Sequence, residues 1–372
     1  MKYYIGIMSG TSMDGIDSVL VAFKNNSIEI IKSYAQPFPN DLKTEMYQLL
    51  NTYQSSLQKL GEIDYQLAVN YAEAVGNLLK NTGVELEQIE AIGCHGQTFF
   101  HAPDSQFPFT IQLGNGNLLA AKTGIKTIMD FRRMDMAFGG EGAPLAPGFH
   151  QAFFNDVQEN RVILNLGGIA NITVLSNKDD NEVTGFDTGP ANCLMDSWIQ
   201  NIKGEKFDKD GLWATSGRVI PELLNAMLEE SYFKLPAPKS TGRELFNLNW
   251  LNKHLEKIPE YKNEDVQATL LELTAISVAE AVKMYAPETN AVYACGGGAF
   301  NKQLLIRLGT YLTNVKVSTT GELGVSPDQV EAVAFAWLAM RRINNLPGNL
   351  PSVTGASQKV LLGTIFDPGI PE

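Results

Sequence analysis

Three small-residue turns are the parts of this chain best suited to binding an anion. The first, Gly10-Thr11-Ser12-Met13-Asp14-Gly15, stands between the apolar runs Tyr4-Ile5-Gly6-Ile7-Met8 and Ile16-Asp17-Ser18-Val19-Leu20-Val21-Ala22-Phe23. Glycines let backbone N–H groups approach an anion closely, and hydroxyls add donors. Such a turn suits a polyphosphate, although a Gly-rich hairpin can also stand without any ligand. It is not a P-loop, because the chain has no G-x-x-x-x-G-K-[ST]. Gly167-Gly168 interrupts a second pair of apolar runs, and Gly296-Gly297-Gly298 ends the run Ala291-Val292-Tyr293-Ala294-Cys295. Glycine at a strand end weakens the strand unless something must come close. The first two turns are placed to grip phosphates, and the third to let a flat ring lie against backbone. Asp187, in Gly185-Phe186-Asp187-Thr188-Gly189-Pro190, follows a short strand. There a carboxylate can project as a general base, or cap the helix after Pro190.

The elements that must hold these residues follow from periodicity. Residues 3–23 read as a hairpin, and 27–34 as a third strand. Residues 41–50 and 56–80 carry apolar residues at helical spacing, with Leu57, Leu60, Ile63, Leu67, Tyr71, Val75 and Leu78 as one stripe. Strands follow at 89–94 and 109–113, then a helix near 146–154. A hairpin over 161–176 and a strand over 183–186 open a second region. Helices are expected at 194–202, 220–229, 265–285 and 328–342, the last opened by Ser326-Pro327-Asp328. The two hairpins form an internal repeat that is structural rather than sequential.

The length of 372 residues suits two domains, and 44% hydrophobic residues suffice for sizeable cores. A net charge of −12 argues against nucleic-acid or anionic-membrane partners. Cys94, Cys193 and Cys295 show no metal-ligand spacing, and so small a count suits a reducing compartment. No apolar run approaches the roughly 18 residues that cross a membrane, and no signal peptide is read at the start. A cytoplasmic location is expected.

The turns together are similar to those of the actin, hexokinase and Hsp70 superfamily. Further blocks sharpen the resemblance: Cys94-His95-Gly96-Gln97-Thr98, Asp130-Phe131-Arg132-Arg133-Met134-Asp135, Gly139-Gly140-Glu141-Gly142-Ala143-Pro144-Leu145, Lys239-Ser240-Thr241-Gly242-Arg243-Glu244, Glu331-Ala332 and Gly348-Asn349-Leu350-Pro351-Ser352-Val353-Thr354-Gly355-Ala356. With the turns and the Asp187 block, they resemble the anhydro-N-acetylmuramic acid kinase family from residue 4 to about residue 366.

That resemblance implies a two-lobe α/β, actin-like ATPase (ribonuclease H-like) fold with an ATP cleft between the lobes. Boundaries are expected at 1–133 plus 346–372 for the first lobe and 134–345 for the second. It implies a kinase that opens 1,6-anhydro-N-acetylmuramic acid with water and phosphorylates O6, in peptidoglycan recycling; a levoglucosan-type kinase is the alternative. Gly10, Thr11, Ser12, Met13, Asp14, Gly15, Ile16 and Asp17 would cradle the phosphates with Gly167 and Gly168, and Gly296, Gly297 and Gly298 would lie under adenosine. Asp187 would be the catalytic base. His95, Gln97, Thr98, Asn115, Arg132 and Glu331 would contact the sugar, with Arg132 or Arg133 on its carboxylate. Many superfamily members carry Asp where this chain has Met8 and Asn165. Asp14, Asp17 or Asp187 is expected to take over support of Mg²⁺, Asp14 through water. Glu141 stands where Gln is expected. The family also implies a homodimer.

Overall fold

A computed structural model of the chain describes all residues except 11–12, 14, 25–26, 178–182 and 370–372. The chain begins with β1 (Tyr3–Met8), β2 (Ile16–Lys24), β3 (Ser27–Gln36), α1 (Asn40–Thr52) and α2 (Leu57–Leu79). It continues through β4 (Ile89–Cys94), β5 (Gln97–Ala102), β6 (Phe109–Leu113), α3 (Gly116–Thr123), β7 (Thr127–Met129), α4 (Arg133–Ala137) and α5 (Ala146–Phe154). Next come β8 (Arg161–Leu166), β9 (Ile169–Leu175), β10 (Thr184–Pro190), α6 (Asn192–Lys203), α7 (Leu212–Ser216), α8 (Pro221–Leu228) and α9 (Leu248–Leu255). The remainder is α10 (Asn263–Tyr285), β11 (Ala291–Cys295), α11 (Lys302–Tyr311), β12 (Lys316–Thr319), α12 (Val330–Ile343), α13 (Pro351–Thr354) and β13 (Thr364–Phe366).

Two compact units result, residues 1–153 with 329–372, and residues 154–328. This division moves 134–153 and 329–345 into the first unit, against the boundaries expected from sequence. The cause is α12. A Cβ on Gly6 of β1 would lie 1.8 Å from the Ala332 carbonyl oxygen, and one on Gly93 of β4 would lie 2.0 Å from that of Phe335. Bare glycine backbone therefore lets α12 sit directly on the first sheet.

The first unit's sheet runs β13-β7-β4-β1-β2-β3, and the second unit's runs β10-β9-β8-β11-β12. In both, a hairpin (β1–β2, β8–β9) is extended on one side by an antiparallel strand and on the other by two parallel ones. The repeat expected from the hairpins thus covers five strands of each sheet.

On the other face of the first sheet, Ile63, Leu67, Tyr71, Val75 and Leu78 of α2 join Ile5, Ile7 and Leu20 in one core. Ser56 caps α2, its hydroxyl accepting from Lys59 N–H at 3.1 Å. Leu57 does not belong to the stripe; it is 89% exposed at the helix's first position. In the second unit α10 is buried on almost every side from Val266 to Val282, not on one face as its spacing predicts. It packs on α6, α7, α8, α11 and the sheet together. Among the described residues, no helix is long and apolar enough to cross a membrane.

Candidate active site

In the first unit the polar residues are already tied to one another. Gly10 O accepts from Met13 N–H at 3.0 Å and from Gln97 Nε2 at 3.2 Å. Gln97 is fully buried, so it fixes the glycine turn from beneath. Met13 holds φ +51°, rare for a non-glycine residue and a mark of a constrained turn. Its side chain is buried in the core. Gly15 has no room for a side chain: a Cβ would lie 2.6 Å from Gln36 O. Ile16 is buried and Asp17 is exposed opposite Met8 in the β1–β2 ladder. Thr11, Ser12 and Asp14, the last with its expected metal role, lie outside the described residues.

His95 follows β4. Its Nε2 lies 2.7 Å from Arg132 Nη2 and its ring packs on Phe335 at 4.8 Å. Burial, reinforced by the Arg132 charge, pushes the imidazole down to about 3. A neutral ring that accepts at Nε2 carries its proton on Nδ1. Arg132 Nη1 donates to Gly142 O at 2.8 Å. Burial lowers this guanidinium to about 10, against the favourable charges of Glu331 and Asp135. Arg133 turns elsewhere, its Nη1 3.6 Å from Asp130 Oδ2 and its Nε donating to Thr110 O. Of the two adjacent arginines, Arg132 is therefore the one that joins His95. Glu331, on the first turn of α12, keeps solvent-exposed surface although protein crowds around it. That crowding raises its carboxyl, with Arg132 opposing and Asp17 reinforcing.

Thr98 accepts from Gln112 Nε2 at 3.2 Å across the β5–β6 ribbon. Asn115 caps α3, accepting from Leu118 N–H at 3.0 Å. Its carboxamide oxygen is thus already engaged, and among the described residues it makes no hydrogen bond to His95 or Arg132.

Asp135 received no role from its sequence context, yet it organises this region. It is fully buried. Its carboxylate accepts from Gly142 N–H at 2.9 Å, Asn349 Nδ2 at 2.8 Å and Thr354 Oγ1 at 2.8 Å. It thereby holds the loop whose Gly142 carbonyl receives Arg132. The signal available in the sequence was the recurrence of Asp135, the 139–142 glycines and the 348–356 block in one chain.

The second unit is built differently. Asp187 lies inside β10, not after it, at a bulge between Asp187 and Gly189. Bulges re-aim side chains and are frequent beside active sites. Asp187 Oδ2 accepts from Thr241 N–H at 3.0 Å, while Asp187 N–H donates to Lys239 O at 3.0 Å and Asp187 O accepts from Tyr232 OH at 2.6 Å. Burial raises the carboxyl to about 6; the Thr241 N–H opposes this, and the Glu244 charge adds to it. Lys239 directs Nζ to Tyr232 O and Phe233 O, at 3.0 and 3.2 Å.

The carbonyls of Gly167 and Gly168 accept from Ala191, Asn192 and Cys193 N–H, which joins this turn to the start of α6. Gly296 (φ +78°) and Gly298 pack on β8: Cβ atoms there would lie 2.5 Å from Asn165 Oδ1 and 2.7 Å from Leu166 Cβ. Gly297 between them faces open space and is exposed. The second and third glycine turns thus adjoin, at neighbouring ends of β8 and β11. Burial pushes the thiols of Cys94 and Cys193 up to about 12, which favours the protonated form.

Comparison with known proteins decides among the families such a pair of sheets could serve. The family model for anhydro-N-acetylmuramic acid kinase matches residues 2–368. This chain belongs to that family. Relatives bearing the family name include one from Pasteurella multocida, 50% identical over 365 residues, 98% of this chain and 96% of the relative. One from Photobacterium profundum is 51% identical over 373 residues, 98% and 99% of the two chains. One from Haemophilus influenzae is 50% identical over 376 residues, 98% of each.

Proposed function

We propose that this chain carries out its family's reaction: ATP-dependent opening of 1,6-anhydro-N-acetylmuramic acid by water, with phosphorylation of O6, in peptidoglycan recycling. The observation that carries the chemical reading is Asp187, a half-buried carboxyl at about 6, held by the Thr241 N–H. A base poised near working pH is what general-base catalysis requires. In the proposed step Asp187 takes a proton from water as its oxygen bonds to C1. The C1–O6 bond breaks, O6 bonds to the γ-phosphorus, and the bond from that phosphorus to the ADP oxygen breaks. The products are N-acetylmuramic acid 6-phosphate and ADP. Phosphoryl transfer depends mostly on positioning and charge stabilisation, and the three glycine turns supply the backbone for it.

Arg132 is assigned to the lactyl carboxylate of the sugar, with His95, Gln97, Thr98 and Glu331 around the ring. Asn115 is assigned to the rim of the sugar site, since its cap role leaves only its amide nitrogen to donate. Among the described residues no three His, Cys, Asp or Glu side chains cluster to hold a metal. Mg²⁺ arriving with the nucleotide would have Asp17 or Asp14 as an outer carboxylate. The ion would neutralise part of the phosphate charge. A cytoplasmic homodimer completes the reading.

A coupled ADP-release assay with Mg·ATP tests it. The expected result is turnover with 1,6-anhydro-N-acetylmuramic acid and none with levoglucosan or without sugar. Turnover on levoglucosan alone would transfer the assignment to the other anhydro-sugar class. Sugar-independent hydrolysis would overturn the kinase reading.

A further inference from the structure

The segment 239–244 reaches two parts of the second unit at once. At one end, Thr241 N–H holds the Asp187 carboxylate and Lys239 O receives the Asp187 N–H. At the other end, Arg243 lies over the second glycine turn. A Cβ on Gly168 would be 3.6 Å from both Nε and Nη2 of Arg243. The guanidinium also acts on the Cys193 thiol, at the start of α6. Arg243 is exposed, and its side chain makes no hydrogen bond or ion pair among the described residues. The other cation of the segment, Lys239, is engaged with Tyr232 and Phe233.

An arginine with no carboxylate, carbonyl or aromatic partner, laid along a glycine turn, is available to an anionic ligand. A guanidinium presents parallel N–H donors that match two oxygens of a phosphate. Negative charge on a phosphoryl group in transfer is stabilised by cations aimed at it.

We propose that Arg243 is a catalytic residue that contacts the phosphoryl group in transfer, and that segment 239–244 sets it in register with Asp187. The proposal rests on the kinase reading above and goes beyond it by assigning the cation.

The test is steady-state kinetics of Arg243→Gln and Arg243→Ala on 1,6-anhydro-N-acetylmuramic acid and Mg·ATP, with thermal melting of each variant. The expected result is a fall in kcat of about 10²–10³-fold, with both KM values within about threefold of wild type, as for arginines that stabilise phosphoryl transfer. Millimolar guanidinium should restore part of the activity of Arg243→Ala and none to Asp187→Asn. A kcat within threefold of wild type overturns the proposal. So does a loss confined to KM for ATP, or a loss without guanidinium rescue that tracks a lowered melting temperature. If the wild-type protein releases no ADP with the sugar, the kinase reading falls. Wild-type turnover that survives in Arg243→Gln sinks the arginine assignment alone.

Discussion

The two units hold their polar residues in opposite ways. In the first, a closed chain runs from Asn349 and Thr354 to Asp135, on to Gly142, then through Arg132 to His95. Each link is a hydrogen bond between groups that are largely out of water, so the chain fixes geometry before any ligand arrives. In the second, Asp187 is desolvated without a cationic partner of its own, Arg243 is exposed beside a glycine turn, and Gly297 faces open space. The difference teaches a division of labour. On the proposed function, the first unit would recognise the rigid sugar, and the second would leave its charges for substrate and nucleotide to complete.

The largest effect should come from the second unit. Asp187→Asn is expected to lower kcat by about 10²–10⁴-fold, the usual worth of a general base. The wild-type pH profile of kcat/KM should fall on the acid side with a midpoint near 6, as Asp187 gains a proton. His95 and His150 are each pushed to about 3 by burial and stay neutral across that range, so His95→Gln should leave the midpoint in place. Stability moves in the opposite sense to activity. The folded carboxyl sits at about 6, above its ordinary 3.8. Its contribution to stability is therefore full below about pH 4 and is lost as pH rises through 6. The wild-type protein should lose up to about 3 kcal/mol across that window from this group alone, a loss Asp187→Asn does not suffer. Chemical denaturation at pH 4.5 and 7.5 checks the sign. An acid limb that moves with His95→Gln would break the comparison.

In the first unit the hub should be the group whose loss costs the most stability. Asp135→Asn keeps shape but sets an amide N–H against donors, either Gly142 N–H or the Asn349 and Thr354 pair. Leaving such a buried group unsatisfied costs about 1–3 kcal/mol. The expected result is that loss in a denaturation midpoint, with KM for the sugar raised about tenfold and KM for ATP unchanged. Equal changes in both KM values would mean that Asp135 supports the unit as a whole and not Arg132.

How much of this was legible beforehand follows from the range of the interactions. The hairpins and their glycine turns are local, so apolar runs and small residues marked them, and the fivefold strand repeat grew from them. Strands β5, β7, β12 and β13 are three to six residues long and draw their stability from neighbouring strands, which short runs do not announce. The ends of the first unit were misplaced because Gly6 and Gly93 admit α12 from more than 230 residues away, a contact with no local sign. Asp187 was visible as a carboxylate beside glycines, but its bulge and its Thr241 donor were not, since a backbone N–H leaves no trace in residue type. Arg132 and Arg133 looked alike because adjacent residues in a chain differ only in direction. It took Gly142, ten residues on, to distinguish them.

That last pair yields the smallest predicted effect and the sharpest control. Arg133 is exposed and its pairing with Asp130 spans 3.6 Å, so the interaction is worth about 0–1 kcal/mol in water. Arg133→Ala should leave the melting temperature, both KM values and kcat within about twofold of wild type. Arg132→Ala, one residue earlier, removes the donor to Gly142 and the neighbour of His95 together. It should raise KM for the sugar about tenfold or more, less so for an anhydro sugar without the carboxylate. The two substitutions delete the same charge from the same segment, so net charge and long-range steering cancel between them. A difference confined to Arg132, and dependent on the sugar's carboxylate, isolates geometry as the cause. Equal losses in the two variants would instead make the field of the whole segment the recognising element, and the hydrogen-bonded chain from Asp135 would then serve only to hold the fold.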